Sequence, residues 1–276
     1  MIYKSAKEND VIICLDNDGF LDERDYQSMI GTLYSPDFEV ARAINQYMYE
    51  IYGSITVYKE DIINRFIISS FNKVHKSFQA AVLCCSRGLE EQAKVLARTI
   101  LDKIMIATAV IKNPDNYNKW IEMQLWERNR LIKAINNKEP GLDHLNLGEN
   151  IQTDARGKRI TQKDWADMAE MTADYNFIYR LFSGEVHLSV SSIDWDYGLD
   201  GDESYMNIAP RTEETNIIIL TLADYMMHFI QQIIDYFNIE NMRYLEIDKK
   251  LEECQKKATQ QNGILLIVNS LSLKSI

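Results

Sequence analysis

Proline and glycine are scarce in this chain of 276 residues, at four and eleven copies. Both break regular helices, so their shortage favours long helices over a turn-rich β architecture. Cysteine is equally sparse. Cys14, Cys84, Cys85 and Cys254 form no CxxC pair and no Cys/His cluster, which argues against a thioredoxin-like redox motif and against a structural zinc site. The adjacent Cys84 and Cys85 read as small core residues, and reduced thiols fit a cytoplasmic location. The chain has no Walker-type glycine loop, no GxGxxG and no HExxH; common nucleotide-hydrolysing, dinucleotide-dependent and zinc-peptidase classes are therefore disfavoured. Asp16-Asn17-Asp18-Gly19 has the opening of a calcium loop, but the twelfth position falls on Gln27 instead of a bidentate acid. No cofactor and no metal are expected. Long apolar runs are missing as well. The windows Ile100–Ile111 and Ile217–Leu222 are too short or too interrupted to cross a bilayer. The segment Met1–Asp10 lacks the basic-then-apolar order of a signal peptide. No membrane association is expected.

What is present is a 46% apolar composition, enough for a real core, and an excess of acid. The net charge is 30 − 41 = −11. Such a surface repels nucleic acid at long range, so any RNA contact must be local and concentrated.

Apolar residues recur at helical spacing along most of the chain. Ser35-Pro36-Asp37 is a helix start, with Ser at the cap and Pro at the first helical position. Residues 59–87 read as one long helix through Ile62, Phe66, Phe71, Val74 and Phe78. Arg87-Gly88 reads as a cap and a sharp reversal. A second helix follows over about 89–112, so the two should pack antiparallel. Further helices are expected over about 115–136, from Thr161 towards 187, over 213–237 and over 241–257. A small strand is a possible reading of Val11–Leu15. Residues 137–161 read as an exposed excursion, and 189–210 as one long loop. The fold class is all-α, a helical bundle. An N-terminal arm and first helix (1–58), a helical core (59–238) and a C-terminal helix with an apolar tail (239–276) make one compact unit.

The chemically richest stretch is Tyr179-Arg180-Leu181-Phe182-Ser183-Gly184-Glu185-Val186-His187. Arg180 and His187 stand seven apart, on one helix face about two turns from each other, with Ser183 between them. A permanent cation beside a group that titrates near neutrality can hold a phosphodiester and move a proton at it. Arg180 would bind phosphate, His187 would act as general acid and base, and Ser183 would position the histidine or donate to phosphate. The competing reading is a buried helix junction, with Arg180 paired to Asp102 or Glu185. Arg98 and Asp102, four apart on a very apolar helix, read as a half-buried ion pair or as catalytic supports. Trp195 and Tyr197 could stack a base, or could lie as a lid on the core. Arg156-Gly157-Lys158-Arg159 is the one compact basic cluster, a phosphate contact or a solvated loop.

The Arg180-x6-His187 pattern resembles the Arg-x4-6-His motif of the HEPN superfamily, helical proteins of toxin–antitoxin and phage-defence systems. Arg87-Gly88-Leu89, the Arg98-x3-Asp102 helix and Tyr179-x3-Ser183-x3-His187 together also resemble a bacterial helical family of unassigned function, over about residues 59–197. The HEPN resemblance implies a helical bundle, a homodimer that joins two Arg–His motifs in one cleft, and metal-independent RNA cleavage through the RNA 2′-hydroxyl. It carries over to Arg180 and His187. Leu181 departs from it, because a polar residue usually follows the arginine. The expectation is a cytoplasmic, homodimeric endoribonuclease of toxin or antiviral-defence type. Its catalytic residues are Arg180 and His187, its supports Arg98, Asp102, Ser183 and Glu185, and its substrate contacts Trp195 and Tyr197. RNA is the expected partner, along with a possible antitoxin or other protein. The alternative is a non-catalytic interaction module or regulatory subunit of a defence complex.

Overall fold

The computed structural model describes residues 2–3, 13–14, 30–136, 154–183, 197–200, 203–206, 214–240 and 243–262. Two short strands, β1 (Ile2–Tyr3) and β2 (Ile13–Cys14), pair antiparallel. Long helices then dominate: α1 (Ser35–Ser54), α2 (Ile62–Ser86), α3 (Glu90–Lys112) and α4 (Asn116–Asn136). Next come α5 (Gln162–Ala169), α6 (Thr172–Asp174), a π-helical turn (Tyr175–Tyr179) and α7 (Arg180–Ser183). Strands β3 (Tyr197–Asp200) and β4 (Glu203–Met206) precede α8 (Thr215–Phe237) and α9 (Tyr244–Asn262). The protein is an all-α helical bundle with two small hairpins.

The helix ends follow local chemistry. Asp61 caps α2 by accepting from the Asn64 backbone N–H at 3.0 Å. At the other end, Leu89 N donates to Cys84 O at 2.9 Å and Gly88 N to Cys85 O at 3.1 Å. That pair of bonds is a Schellman motif, and Gly88 at φ 70° takes the left-handed position that glycine tolerates best. The reversal folds α3 back along α2, as the Arg87-Gly88 pattern predicted. Lys103 Nζ then donates to Ser77 Oγ across the pair at 2.7 Å. Thr161 and Asp164 form a reciprocal capping box on α5.

Helix α8 is the centre. Its apolar run is much longer than the Ile217–Leu222 window suggested, and by length and composition alone it could cross a membrane. Here 78% of its most apolar stretch is buried inside the bundle. It packs on α1, α2, α3 and α9, and one continuous core runs from α1 to α9. A carboxylate from another helix satisfies its N-terminus. Glu90 Oε1 on α3 accepts from Glu214 N at 2.9 Å and Thr215 Oγ1 at 2.8 Å, while Lys94 pairs with Glu214. An anion at the positive end of a helix is favourable twice over, through the dipole and through the orphan N–H groups.

One sequence expectation changes and another gains detail. The stretch 189–210, expected as one long loop, carries the β3–β4 hairpin, in the register Tyr197↔Met206 to Asp200↔Glu203. The density of Ser, Asp and Gly in this stretch masks the strand signal. The excursion 137–161 is also tied down in its last part. Asp154 N donates to Asn129 Oδ1 at 2.8 Å, and Lys158 N donates to Glu122 O at 3.1 Å. A Cβ on Gly157 would come within 2.8 Å of Trp126 N, so only glycine lets this segment lie against α4 without a shift. Arg156 pairs with Asp154, and the Arg159 guanidinium sits 5.8 Å from the Trp126 ring centroid. The basic cluster is thus partly engaged with its own surroundings.

The stretch 172–183 is tied to α8 by a half-buried bond: Tyr225 Oη donates to Asp174 Oδ1 at 2.7 Å. Tyr225→Phe removes the donor and leaves the half-buried Asp174 carboxyl without it. The expected loss is about 1–3 kcal/mol in urea denaturation. Hydrogen exchange should quicken at residues 175–180 more than in α2; an equal change in both would contradict this anchoring.

Candidate functional site

The segment that carries Arg180 begins with an irregularity. Residues 175–179 form a π-helical turn, a geometry that inserts an extra residue and often marks functional positions. Tyr175 and Tyr179, four apart, stack with ring centroids 4.9 Å apart and planes at 23°. Two guanidinium groups adjoin this aromatic pair. The Arg98 Cζ lies 5.1 Å from the Tyr179 centroid, and the Arg180 Cζ lies 5.8 Å from that of Tyr175. Both distances lie within the range of cation–π attraction.

Arg98 Nε also donates to Tyr179 Oη at 3.1 Å. This bond joins α3 to the 172–183 stretch, 81 positions away in sequence. The expected Arg98–Asp102 ion pair does not form within 4 Å among the described residues. Both groups instead converge on the Tyr179 hydroxyl. Burial pushes the Asp102 carboxyl up to about 6, against the opposing pull of Arg98, the Tyr179 hydroxyl and Lys103. Its Oδ1 is buried and makes no hydrogen bond among the described residues. Gln162 from α5 donates to the Asp102 backbone oxygen at 3.2 Å and closes the far side. Tyr179 itself is 7% exposed, and burial raises its hydroxyl pKa. Arg180 is exposed.

Ser183 directs its hydroxyl proton back to Tyr179 O at 2.7 Å. It can therefore accept a bond from a neighbour, but in this arrangement it does not donate to a phosphate. The structure brings Arg98, Asp102, Arg180 and Ser183 to one junction of α3 with the 172–183 stretch. Arg180 makes no ion pair with Asp102 among the described residues. His187, Glu185 and Trp195 lie outside the described residues; Tyr197 is placed only by its backbone, in β3 opposite Met206.

Sequence reasoning overlooked Tyr179 as a site residue, together with Tyr175 and Gln162. Tyr175 and Tyr179 share a helix face four apart, and that spacing was the available signal. Gln162 is brought in by tertiary packing alone. Among the described residues, no group of three or more His, Cys, Asp or Glu side chains could hold a metal ion. Cys84, Cys85 and Cys254 are free thiols, with Cys85 and Cys254 buried.

The architecture is therefore that of a helical-bundle protein with a half-buried Arg–Tyr–Asp cluster beside an exposed arginine. Residues 64–205 match the model of a family of unknown function (DUF5677). The match covers more than half of the chain, and the protein belongs to that family. It runs from the first turn of α2 into β4 and includes every residue of the cluster, while α1, α8 and α9 lie beyond it. No curated protein and no solved structure matches the chain.

Asp102 gives this cluster a pH signature. Its folded-state pKa of about 6 stands above the ordinary value of 3.8, so the folded protein holds this proton more tightly than the unfolded chain does. The resulting stabilisation is full below about pH 4 and is lost as pH rises towards 6 and beyond. Asp102→Asn should remove that slope. Relative to wild type, the variant should gain on the order of 1–2 kcal/mol between pH 4 and pH 7 in urea titrations. Parallel stability curves over this range would show that the carboxyl is not held in its protonated form by the fold.

Proposed function

We propose that the protein is a metal-independent endoribonuclease of toxin or antiviral-defence type, working in the cytoplasm as a homodimer, with Arg180 and His187 as its catalytic pair. The observation that carries this reading is the exposed Arg180 directly after Tyr179, whose hydroxyl is bonded to Arg98 beside the near-neutral Asp102. Arg180 is exposed and can meet a phosphate, and a second guanidinium, Arg98, adjoins the other ring of the tyrosine pair. His187, two turns on in sequence, would take the proton from the RNA 2′-hydroxyl and return one to the leaving 5′-oxygen. The 2′-oxygen attacks phosphorus, the P–O5′ bond breaks, and the product carries a cyclic phosphate. Arg180 would stabilise the charge that builds on the phosphoryl oxygens. Arg98 and Tyr179 would hold the helical stretch in register, and Ser183 could accept a bond from the imidazole. Phe177, 49% exposed and three residues before Arg180, suits a dimer surface beside the site.

A second reading, a non-catalytic interaction module, is favoured by the enclosure of Tyr179 and Asp102. One experiment separates the two. Wild type, Arg180→Ala and His187→Ala are incubated with total RNA in EDTA. Cleavage by wild type, with 2′,3′-cyclic phosphate ends and a loss of about 10²–10⁴-fold in His187→Ala, supports the nuclease. Intact RNA with wild type, together with a stoichiometric protein partner retained by His187→Ala, supports the module.

A further inference from the structure

A second feature lies away from the Arg–Tyr–Asp cluster. An open groove of about 1180 Å³ runs along the outer face of α2, between the end of α1 and the start of α4. Lys59, Arg65 and Lys73 line it, and among the described residues no acidic side chain does. On a chain of net charge −11, three cations without an acid is an inversion of the surrounding surface. All three side chains are exposed, and among the described residues none makes an ion pair. Among the described residues, the Arg65 side chain donates to the Lys59 backbone oxygen at 3.0 Å.

The groove also has an aromatic wall. Phe66 and Trp120 stand with centroids 4.9 Å apart, and Tyr117 stacks on Trp120 at 5.7 Å and 28°. All three are half-buried and line the same space. From Arg65 to Lys73 the cations follow α2 for about 12 Å, at 1.5 Å per residue. The line continues beyond the groove: the Lys73 charge acts on Lys103, the residue that follows Asp102. Spaced cations along an aromatic-lined channel match a polyanion with flat, stackable groups, since the backbone charges meet the lysines and the bases meet the rings. An acidic peptide would use the charges but not the wall.

We infer that this groove binds single-stranded nucleic acid, with Lys59, Arg65 and Lys73 along the phosphates and the Phe66–Tyr117–Trp120 wall against the bases. Binding here does not require the cleavage chemistry proposed for Arg180 and His187.

Fluorescence anisotropy with a short labelled 2′-O-methyl oligouridylate tests it. The blocked 2′-hydroxyl prevents cleavage, so this result is separate from any nuclease assay. Wild type should bind at about 50 mM salt, with a slope of log K against log salt near about −2 for three phosphate contacts. Lys59→Glu/Lys73→Glu, both surface changes, should weaken binding by about 10-fold or more and flatten the slope. Lys249→Glu/Lys257→Glu on α9 should leave it unchanged. Trp120→Leu should weaken binding about 5-fold or more, and Trp120→Phe should restore most of it. No binding by wild type, undiminished binding by Lys59→Glu/Lys73→Glu, or equal displacement by polyglutamate at matched charge would each overturn the inference.

Discussion

The burial of α8 is the constraint on which the rest depends. Its apolar side chains face outward around most of the helix, and no single neighbour could cover them. Four other helices have to close around it, each with one apolar stripe. At roughly 1.5–3 kcal/mol for each large apolar side chain fully buried, this helix contributes a major share of the driving force for compaction. It also has to bring its few polar groups inside with partners. Thr108 donates to Gln232 at 2.7 Å, Gln255 reaches Asp224 at 3.4 Å, and Glu90 serves the N-terminus. Tyr225 does the same for Asp174, and that bond sets where the 172–183 stretch can lie.

The position of the candidate site follows from this packing. With Asp174 held at α8, the π-helical turn has to run across α3, and it presents Tyr179 to Arg98. The hydroxyl then sits between a guanidinium and a carboxyl that water reaches poorly. Desolvation wins over the favourable charges around Asp102, because its carboxyl is pushed up despite Arg98 and Lys103 nearby. A group so placed can keep a proton near neutrality. Arg180, one residue further on, turns out to solvent. One buried tyrosine therefore divides the cluster into an enclosed acid–base side and an open cationic side.

The net charge conceals the distribution that matters. An excess of eleven negative charges disfavours a polyanion at a distance, yet among the described residues the charged side chains that line the α2 groove are all cations. Screening at physiological salt limits the reach of the acidic surface to about 8 Å, so a local cationic line can still act on a ligand in contact with it. The aromatic wall offers what charge alone does not, a preference for flat groups over any other acidic chain.

The amino-acid pattern by itself determined the helices and several of their ends. Hydrophobic periodicity marks α1 to α4, α8 and α9, Arg87-Gly88-Leu89 marks the reversal, and Thr161 with Asp164 marks the α5 cap. These signals are local, carried by residues within one or two turns of each other. The same pattern singled out Arg98, Asp102, Arg180 and Ser183, because charged and hydroxyl residues on apolar helices are conspicuous in one dimension. Only the tertiary structure decided their partners. Arg98 meets Tyr179 from 81 positions away instead of Asp102 from four, because the π-helical turn and the Asp174–Tyr225 anchor place that hydroxyl nearer than helix geometry places the acid. The hairpin at 197–206 and the cationic groove escaped notice for a related reason. The meaning of each depends on which segments lie across from one another, for the groove the outer face of α2 with the ends of α1 and α4, and no spacing along the chain records that.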